Sequence, residues 1–266
     1  MTDYFANYGE KKFAEFDQKI IQIINAKVTK KLNGENTYMA YLDLDGFKEK
    51  LYQNSELLFK DFQKLIKQIV HSYLFGVVQI AYNDEESQVN YFDKILAPKI
   101  FSDSIFIPTI DDSERAFAQL STICSIIVAK SAYIGMTCRG AISLGSTYLD
   151  QELNIVLGKS VAICAELANQ IQTYRVVIDP QIEIKENYTT EALLVKVINK
   201  DTNEDCKLKF SKISAYLPHQ AFDINRVSVI KKYLELKQEY LSREDSSDKI
   251  IKRYESGLAV LKLMVG

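Results

Sequence analysis

The chain of 266 residues lacks most of the signatures that announce a metal, redox or cofactor protein. It has two histidines, His71 and His219, far apart and outside any HExxH or HxxxH pattern, so a zinc enzyme is not indicated. Its four cysteines, Cys124, Cys138, Cys164 and Cys206, form no CxxC pair and read as reduced, mostly buried thiols. Neither the GxGxxG fingerprint nor a P-loop occurs. Net charge is only −2, with no basic excess to attract nucleic acid and no acidic tail. The apolar runs fall short of the roughly 20 residues that a membrane helix needs. No internal repeat or low-complexity segment appears. The expectation is a soluble cytoplasmic protein without a targeting segment, a nucleic-acid partner or a membrane partner.

What is present begins with composition: 47% of residues are apolar and 26% charged, the balance of a folded globular core. Phe13, Phe16, Ile20, Ile21, Ile23 and Ile24 recur at helical spacing and predict an amphipathic helix over 11–31. The stretch LNGEN then reads as a break, 37–44 as a strand and 47–75 as a long helix with Leu51, Leu57, Leu58, Phe62, Leu65, Ile66 and Ile69 on one side. Residues 82–88 read as a loop. Strand material at 100–101 and 104–110 predicts a hairpin with Asp103 near its tip. A buried helix is expected over 112–134, capped by Asp112 or Ser113, with Gly135 near its end. A strand over 136–145, a loop STYLDQELNIV, a helix opened by Gly158, a strand RVVID, a ragged β segment over 181–215 and a charged helical part over 221–264, broken at REDSSD, complete the pass. This order predicts an α+β fold: a mostly antiparallel sheet covered by helices.

Two aspartates interrupt apolar strands in this pattern. Asp43 lies in YMAYLDLDGF and Asp103 in KIFSDSIFIP. A buried carboxylate is costly, and two on neighbouring strands suggest a metal site. Carboxylate and carbonyl oxygens suit Mg²⁺ or Mn²⁺, and a pair of strand-end aspartates can hold two such ions at a phosphoryl centre. The helix opened by Asp45-Gly46-Phe47 would offer free N–H groups to phosphate oxygens. Asp45 also reads as a helix N-cap.

These motifs resemble those of the class III nucleotidyl cyclases. YLDLDGF is similar to their first metal motif, KIFSDSIFI to the second, RGAISLG to the strand before the active-site helix and GKSVAICAELANQI to that helix, in order, over about residues 37–180. The Pycsar pyrimidine cyclases, an antiphage branch, are a closer likeness. Their pattern is matched by Ser102-Asp103-Ser104, Arg139-Gly140, Gly158, Ala162, Ala165-Glu166-Leu167 and Tyr174-Arg175-Val176.

The resemblance implies a ferredoxin-like palm and conversion of UTP or CTP to the 3′,5′-cyclic monophosphate plus pyrophosphate. It implies two divalent cations per site, Mn²⁺ or Mg²⁺, held by Asp43, Asp103 and the carbonyl of Leu44. The product would be a second messenger for a separate cyclic-nucleotide-responsive effector in antiphage defence. Nucleotide contacts are expected from Asp45, Gly46, Phe47, Lys48, Lys99, Ser102, Asn154 and Ile155. Class III sites lie between two catalytic domains, so a homodimer with sites at its interface is implied. The chain divides into a helical extension (1–34), a cyclase domain (35–220) and a C-terminal helical extension (221–266). The terminal helices would either add dimer contacts or pack on the same domain.

The chain also departs from the purine cyclases. Where they carry Asn and Arg on the active-site helix it has Ala162 and Glu166, so catalytic charge is expected from Arg139, Arg175 or Lys48. Where adenylate cyclases pair a hairpin lysine with an acid before the helix glycine, it has Lys99 but Ile155, with Asn154 alongside. An Asn side chain offers a donor and an acceptor to a pyrimidine edge. The rival readings are a purine cyclase and a degenerate, nucleotide-binding cyclase-fold module. A diguanylate-cyclase-like palm would want a Gly-Gly-acidic-acidic hairpin, which IFSDSIF does not supply.

Overall fold

The computed structural model describes residues 29–83, 93–170, 174, 176–182, 192–198, 205–211, 226–243 and 247–263. The helix expected over 11–31 lies outside these residues as far as 28, and its last residue, Lys31, is strand; the loop expected over 82–88 is helical at 82–83 and lies outside them beyond Asn83, as does Arg175. The described chain is α+β. Its eight strands are β1 (Lys31–Asp45), β2 (Lys99–Phe101), β3 (Ser104–Pro108), β4 (Thr137–Asp150), β5 (Ile155–Gly158), β6 (Val176–Ile178), β7 (Ala192–Ile198) and β8 (Asp205–Ser211). Its five helices are α1 (Phe47–Asn83), α2 (Glu114–Tyr133), α3 (Lys159–Gln170), α4 (Arg226–Leu241) and α5 (Asp248–Leu263).

The sheet runs β2-β3-β1-β4-β6-β8-β7, with β5 paired to β4. Only β4 with β6 is parallel. The first four strands, with α1 and α2 as crossovers, have the order β2-β3-β1-β4, the connectivity of a ferredoxin-like palm. Strand alternation sorts β1 into two faces. Tyr38, Ala40, Leu42 and Leu44 join Ile105, Ile107, Phe117 and Leu120 in the main core under α1 and α2. Met39 meets Ala141, Cys164, Ala168 and Val177 under α3, with Tyr41 against this cluster. The helices α4 and α5 bury Val229, Tyr233, Tyr254 and Leu258 against Ala129 and Ala132 of α2 and against Tyr174. By composition α2 could cross a membrane, but most of it is buried as the central core helix.

Three segments differ from the sequence reading. LNGEN is not a break: β1 starts at Lys31 and crosses it by a bulge at Gly34, where the register to β4 shifts between Asn33 and Glu35. STYLDQELNIV is not a loop: β4 runs on to Asp150 and turns back into β5. Its polar Thr147 is buried and bonds Thr37 and Ser160, so polarity there is internal. The helix α1 is interrupted at Asn54, whose side chain accepts from the Leu57 N–H and starts the next helical stretch. That break changes the helical phase. Leu58 and Leu65 reach the core, whereas Leu51 and Leu57 stay exposed. At α2 the capping residue is Ser113, whose side chain accepts from the Ala116 N–H.

Candidate active site

The register of β1 brings the two aspartates together. Asp43 is paired with Ser104 of β3 on one side and with Arg139 of β4 on the other. Asp103 sits one step further along, where its backbone carbonyl accepts a hydrogen bond from the Leu44 N–H at 2.9 Å. In an extended strand the carbonyl of a residue leaves by the same edge as its N–H, so the Leu44 carbonyl faces the hairpin that carries Asp103. The side chain of Leu44 is in the core, and only its backbone serves the site. Ser102, at the exposed hairpin tip, has φ 56, an uncommon conformation for serine. Such backbone strain clusters at functional sites.

Arg139 lies directly across from Asp43 and reaches one of its carboxylate oxygens with two nitrogens, Nε at 2.9 Å and Nη2 at 2.8 Å. Gly140 allows the two strands this contact. A Cβ there would lie 2.1 Å from the Tyr41 carbonyl oxygen, so no other residue fits after Arg139. Burial pushes the Asp43 carboxyl above its ordinary pKa; Arg139 opposes this, and the nearby negative charges of Asp45 and Asp103 add to it. Burial works against the Arg139 charge, but Asp43 outweighs it and the guanidinium is held above its ordinary pKa. Asp45 ends β1 and accepts a 2.7 Å hydrogen bond from Nη1 of Arg253 on α5. It is not the cap of α1; the Gly46 carbonyl accepts the first helical bond, from the Lys50 N–H. Gly46 has φ 90 and open space where a Cβ would stand, which leaves room above the helix start.

The other expected contacts separate into two groups. Lys48 is exposed on the first turn of α1, near the aspartates in sequence and free to reach outward. Phe47 is half-buried and packs edge-on against Phe62 at the edge of the main core. Lys99 is buried, not solvated: its ammonium donates to the Gln151 carbonyl at 2.8 Å, and burial pulls its pKa below the ordinary lysine value. That bond ties β2 to the turn carrying Asn154 and Ile155, although the register of β4 on β1 sets that turn at the Lys31 end, opposite the end that carries Asp43. Asn154 takes φ 57, where asparagine is favoured as a turn residue. Ile155 is exposed. Ala162 and Glu166 lie on the outward face of α3, while Cys164 and Ala168 face the sheet.

Residues missed from sequence are Tyr41, Phe106 and Arg253. Tyr41 packs on Phe106 at 5.0 Å between ring centroids, and its hydroxyl lies 3.1 Å from Ser104 Oγ. Phe101 extends the same surface, 6.4 Å from Phe106, and is half exposed. Period-two counting from Asp43 and Ser104 would have found this aromatic shelf.

The donor set fits a hard divalent cation. Asp43, Asp103 and the Leu44 carbonyl offer oxygen only, and the mutual repulsion of the carboxylates favours a cation between them. Among the described residues no group of three or more His, Cys, Asp or Glu side chains clusters as a complete ligand set. Substrate phosphate and water would have to complete the coordination.

No protein-family model matches the chain. No curated protein matches it either. Several solved structures align with it, two of which follow. The adenylyl cyclase CyaB from P. aeruginosa is 8% identical, covers 67% of this chain and 95% of its own, and has a TM-score of 0.42. A class III adenylyl cyclase-like ATP-binding protein from Pseudomonas aeruginosa is 12% identical, with a TM-score of 0.34 over 55% of this chain; the alignment spans 33% of that chain. No residue role passes from either to this protein.

Proposed function

We propose that the protein is a nucleotidyl cyclase that converts UTP or CTP to the 3′,5′-cyclic monophosphate and pyrophosphate. The observation that carries this reading is the register of β1 with the β2–β3 hairpin, which sets Asp43, the Leu44 backbone and Asp103 side by side. When bound there, Mn²⁺ or Mg²⁺ would acidify the ribose 3′-hydroxyl and neutralise the triphosphate. The protein groups do the rest. Asp43 and Asp103 orient the reacting oxygens for in-line attack at the α-phosphorus. The space over Gly46 and the start of α1 admits phosphate oxygens. Arg139 supplies a positive charge at the reacting end of β4, and Arg175 is a second candidate for that role. Tyr41, Phe106 and Phe101 form an apolar shelf on the same face.

The pyrimidine preference rests on the sequence likeness and on the exposed, uncharged Ile155 where a purine reader would place an acid. The family likeness implies a homodimer with a site at its interface, and the outward face of α3, with Ala162 and Glu166, is exposed. The product would act on a separate cyclic-nucleotide-responsive effector in antiphage defence.

A second reading is a degenerate nucleotide-binding module, favoured by the guanidinium of Arg139 already seated on Asp43. A turnover assay decides. Purified protein is incubated with Mn²⁺ and each of ATP, GTP, CTP and UTP, with Asp103→Ala as control. A cyclic pyrimidine product lost in the variant supports the proposal. A cyclic purine product replaces the substrate. Triphosphate binding without any product favours the module.

A further inference from the structure

We infer that Arg253, on the C-terminal helix α5, sets the charge of the Asp43–Asp103 site by cancelling Asp45, and so tunes how a divalent cation and a polyphosphate share it. The inference rests on the reading of that site as a cation and triphosphate site.

Asp45 and Asp43 are two residues apart on one strand and therefore point to the same face. A second carboxylate so close to the first would draw the cation, or Arg139, away from Asp43. Asp45 is instead held by Arg253 across 208 residues of sequence. The side chain of Arg253 is 9% exposed and that of Asp45 27%, so the pair is largely withdrawn from water, and the negative charge of Asp45 is felt at Asp43.

The helix is aimed there by packing. Arg253 and Tyr254 share a buried face with Gly257 and Leu258, one turn on. A Cβ on Gly257 would lie 3.3 Å from the Tyr174 carbonyl oxygen, so the glycine lets α5 settle against Tyr174. Tyr254 stacks edge-on with Tyr174 at 4.9 Å. Tyr174 and Tyr254 are buried, as is Thr137, the residue of β4 paired with Asp45. The C-terminal helix thus docks on the strand pair that carries Asp45 and, one alternation earlier, Asp43 and Arg139.

With the pair intact, Asp43, Asp45 and Asp103 are offset by Arg139 and Arg253. Arg253→Met leaves one more negative charge: Mn²⁺ should bind tighter and the triphosphate weaker, each on the order of fivefold. Asp45→Asn leaves one more positive charge and should shift both in the opposite directions. The double variant should return both toward wild type.

Mn²⁺ affinity is read by water-proton relaxation on the full chain, KM and kcat with the preferred triphosphate, and folding by circular dichroism. Opposite-signed shifts in the single variants, mainly in KM, and recovery in the double variant bear the inference out. Unchanged Mn²⁺ affinity in folded Asp45→Asn, or a double variant no closer to wild type, overturns it. Should Arg253→Met fail to fold, Asp45→Asn alone still gives the sign. A wild-type protein that neither binds Mn²⁺ nor turns over any triphosphate removes the underlying site reading, and the inference with it.

Discussion

Replacing Arg139 by methionine tests whether Asp43 is a cation-seeking carboxylate. In the structure the positive partner of Asp43 is Arg139, through two hydrogen bonds to one carboxylate oxygen. Breaking a fully buried pair from one side costs about 3–5 kcal/mol. Here the side chains retain 14% and 16% exposure, and water can reach the orphaned carboxylate. A loss of about 2–3 kcal/mol follows, which lowers the midpoint of a chain this size by about 4–12 °C.

A divalent cation should then repair what the substitution removed. A ligand at a hundred times its dissociation constant adds about 2.7 kcal/mol to the native state. In wild type the cation competes with the guanidinium for Asp43; in Arg139→Met it does not. The assay is thermal unfolding by circular dichroism in EDTA and in a Mn²⁺ series. The expected result is a lower midpoint for Arg139→Met in EDTA, a larger rise with Mn²⁺ than wild type shows, and little rise for Asp43→Asn. An Arg139→Met protein that melts with wild type in EDTA would refute the reasoning. So would Asp43→Asn responding to Mn²⁺ as strongly as Arg139→Met.

On the proposed reading, Asp103→Ala should lower kcat by about 10²–10³ while the fold persists, because the substitution would remove a transition-state charge from a turn; initial rates with the preferred triphosphate check this. Lys99→Met should alter the pH dependence of stability with a definite sign. Burial lowers the folded pKa of Lys99, so between that value and about 10.5 the unfolded chain holds the extra proton and wild-type stability gains as pH rises. The wild-type minus variant difference in urea midpoints should therefore grow over that window; a flat difference would contradict a buried ammonium. Cys124, Cys138 and Cys164 are buried, and burial pushes the Cys164 thiol up to about 12, so a disulfide reagent at pH 8 should label these three only on unfolding.

Much of the site was legible because it is local in sequence. The alternation from Tyr38 to Asp45 announces one strand with two faces, and Ser102-Asp103 between two short apolar runs announces a hairpin tip. The arrangement of the whole palm follows from the order of these elements. Misreadings arose where polar residues or glycine carry structure instead of ending it. Gly34 is a bulge within β1, with a Tyr148 side chain lying where its Cβ would be. Ser146 and Thr147 look like turn residues, yet the buried Thr147 hydroxyl is bonded inside the sheet. Composition alone does not separate a buried polar network from a solvated loop.

Arg253 was illegible for a different reason. In the sequence it is one basic residue in a charged helical tail, and the helical period shows only that Arg253, Tyr254, Gly257 and Leu258 share a face. Nothing local tells that face to meet Tyr174 and Asp45; the contact with Asp45 closes a loop of 208 residues. The residue it holds, Asp45, reads locally as a helix cap, a role the fold gives instead to the Gly46 carbonyl. An aspartate beside a metal-type carboxylate can ligate, cap or be silenced, and its own neighbours in sequence are the same in all three cases. Only the partner distinguishes them. A buried arginine with a carboxylate at 2.7 Å selects the third, which makes the C-terminal helices part of the electrostatics of β1 rather than an appendage to it.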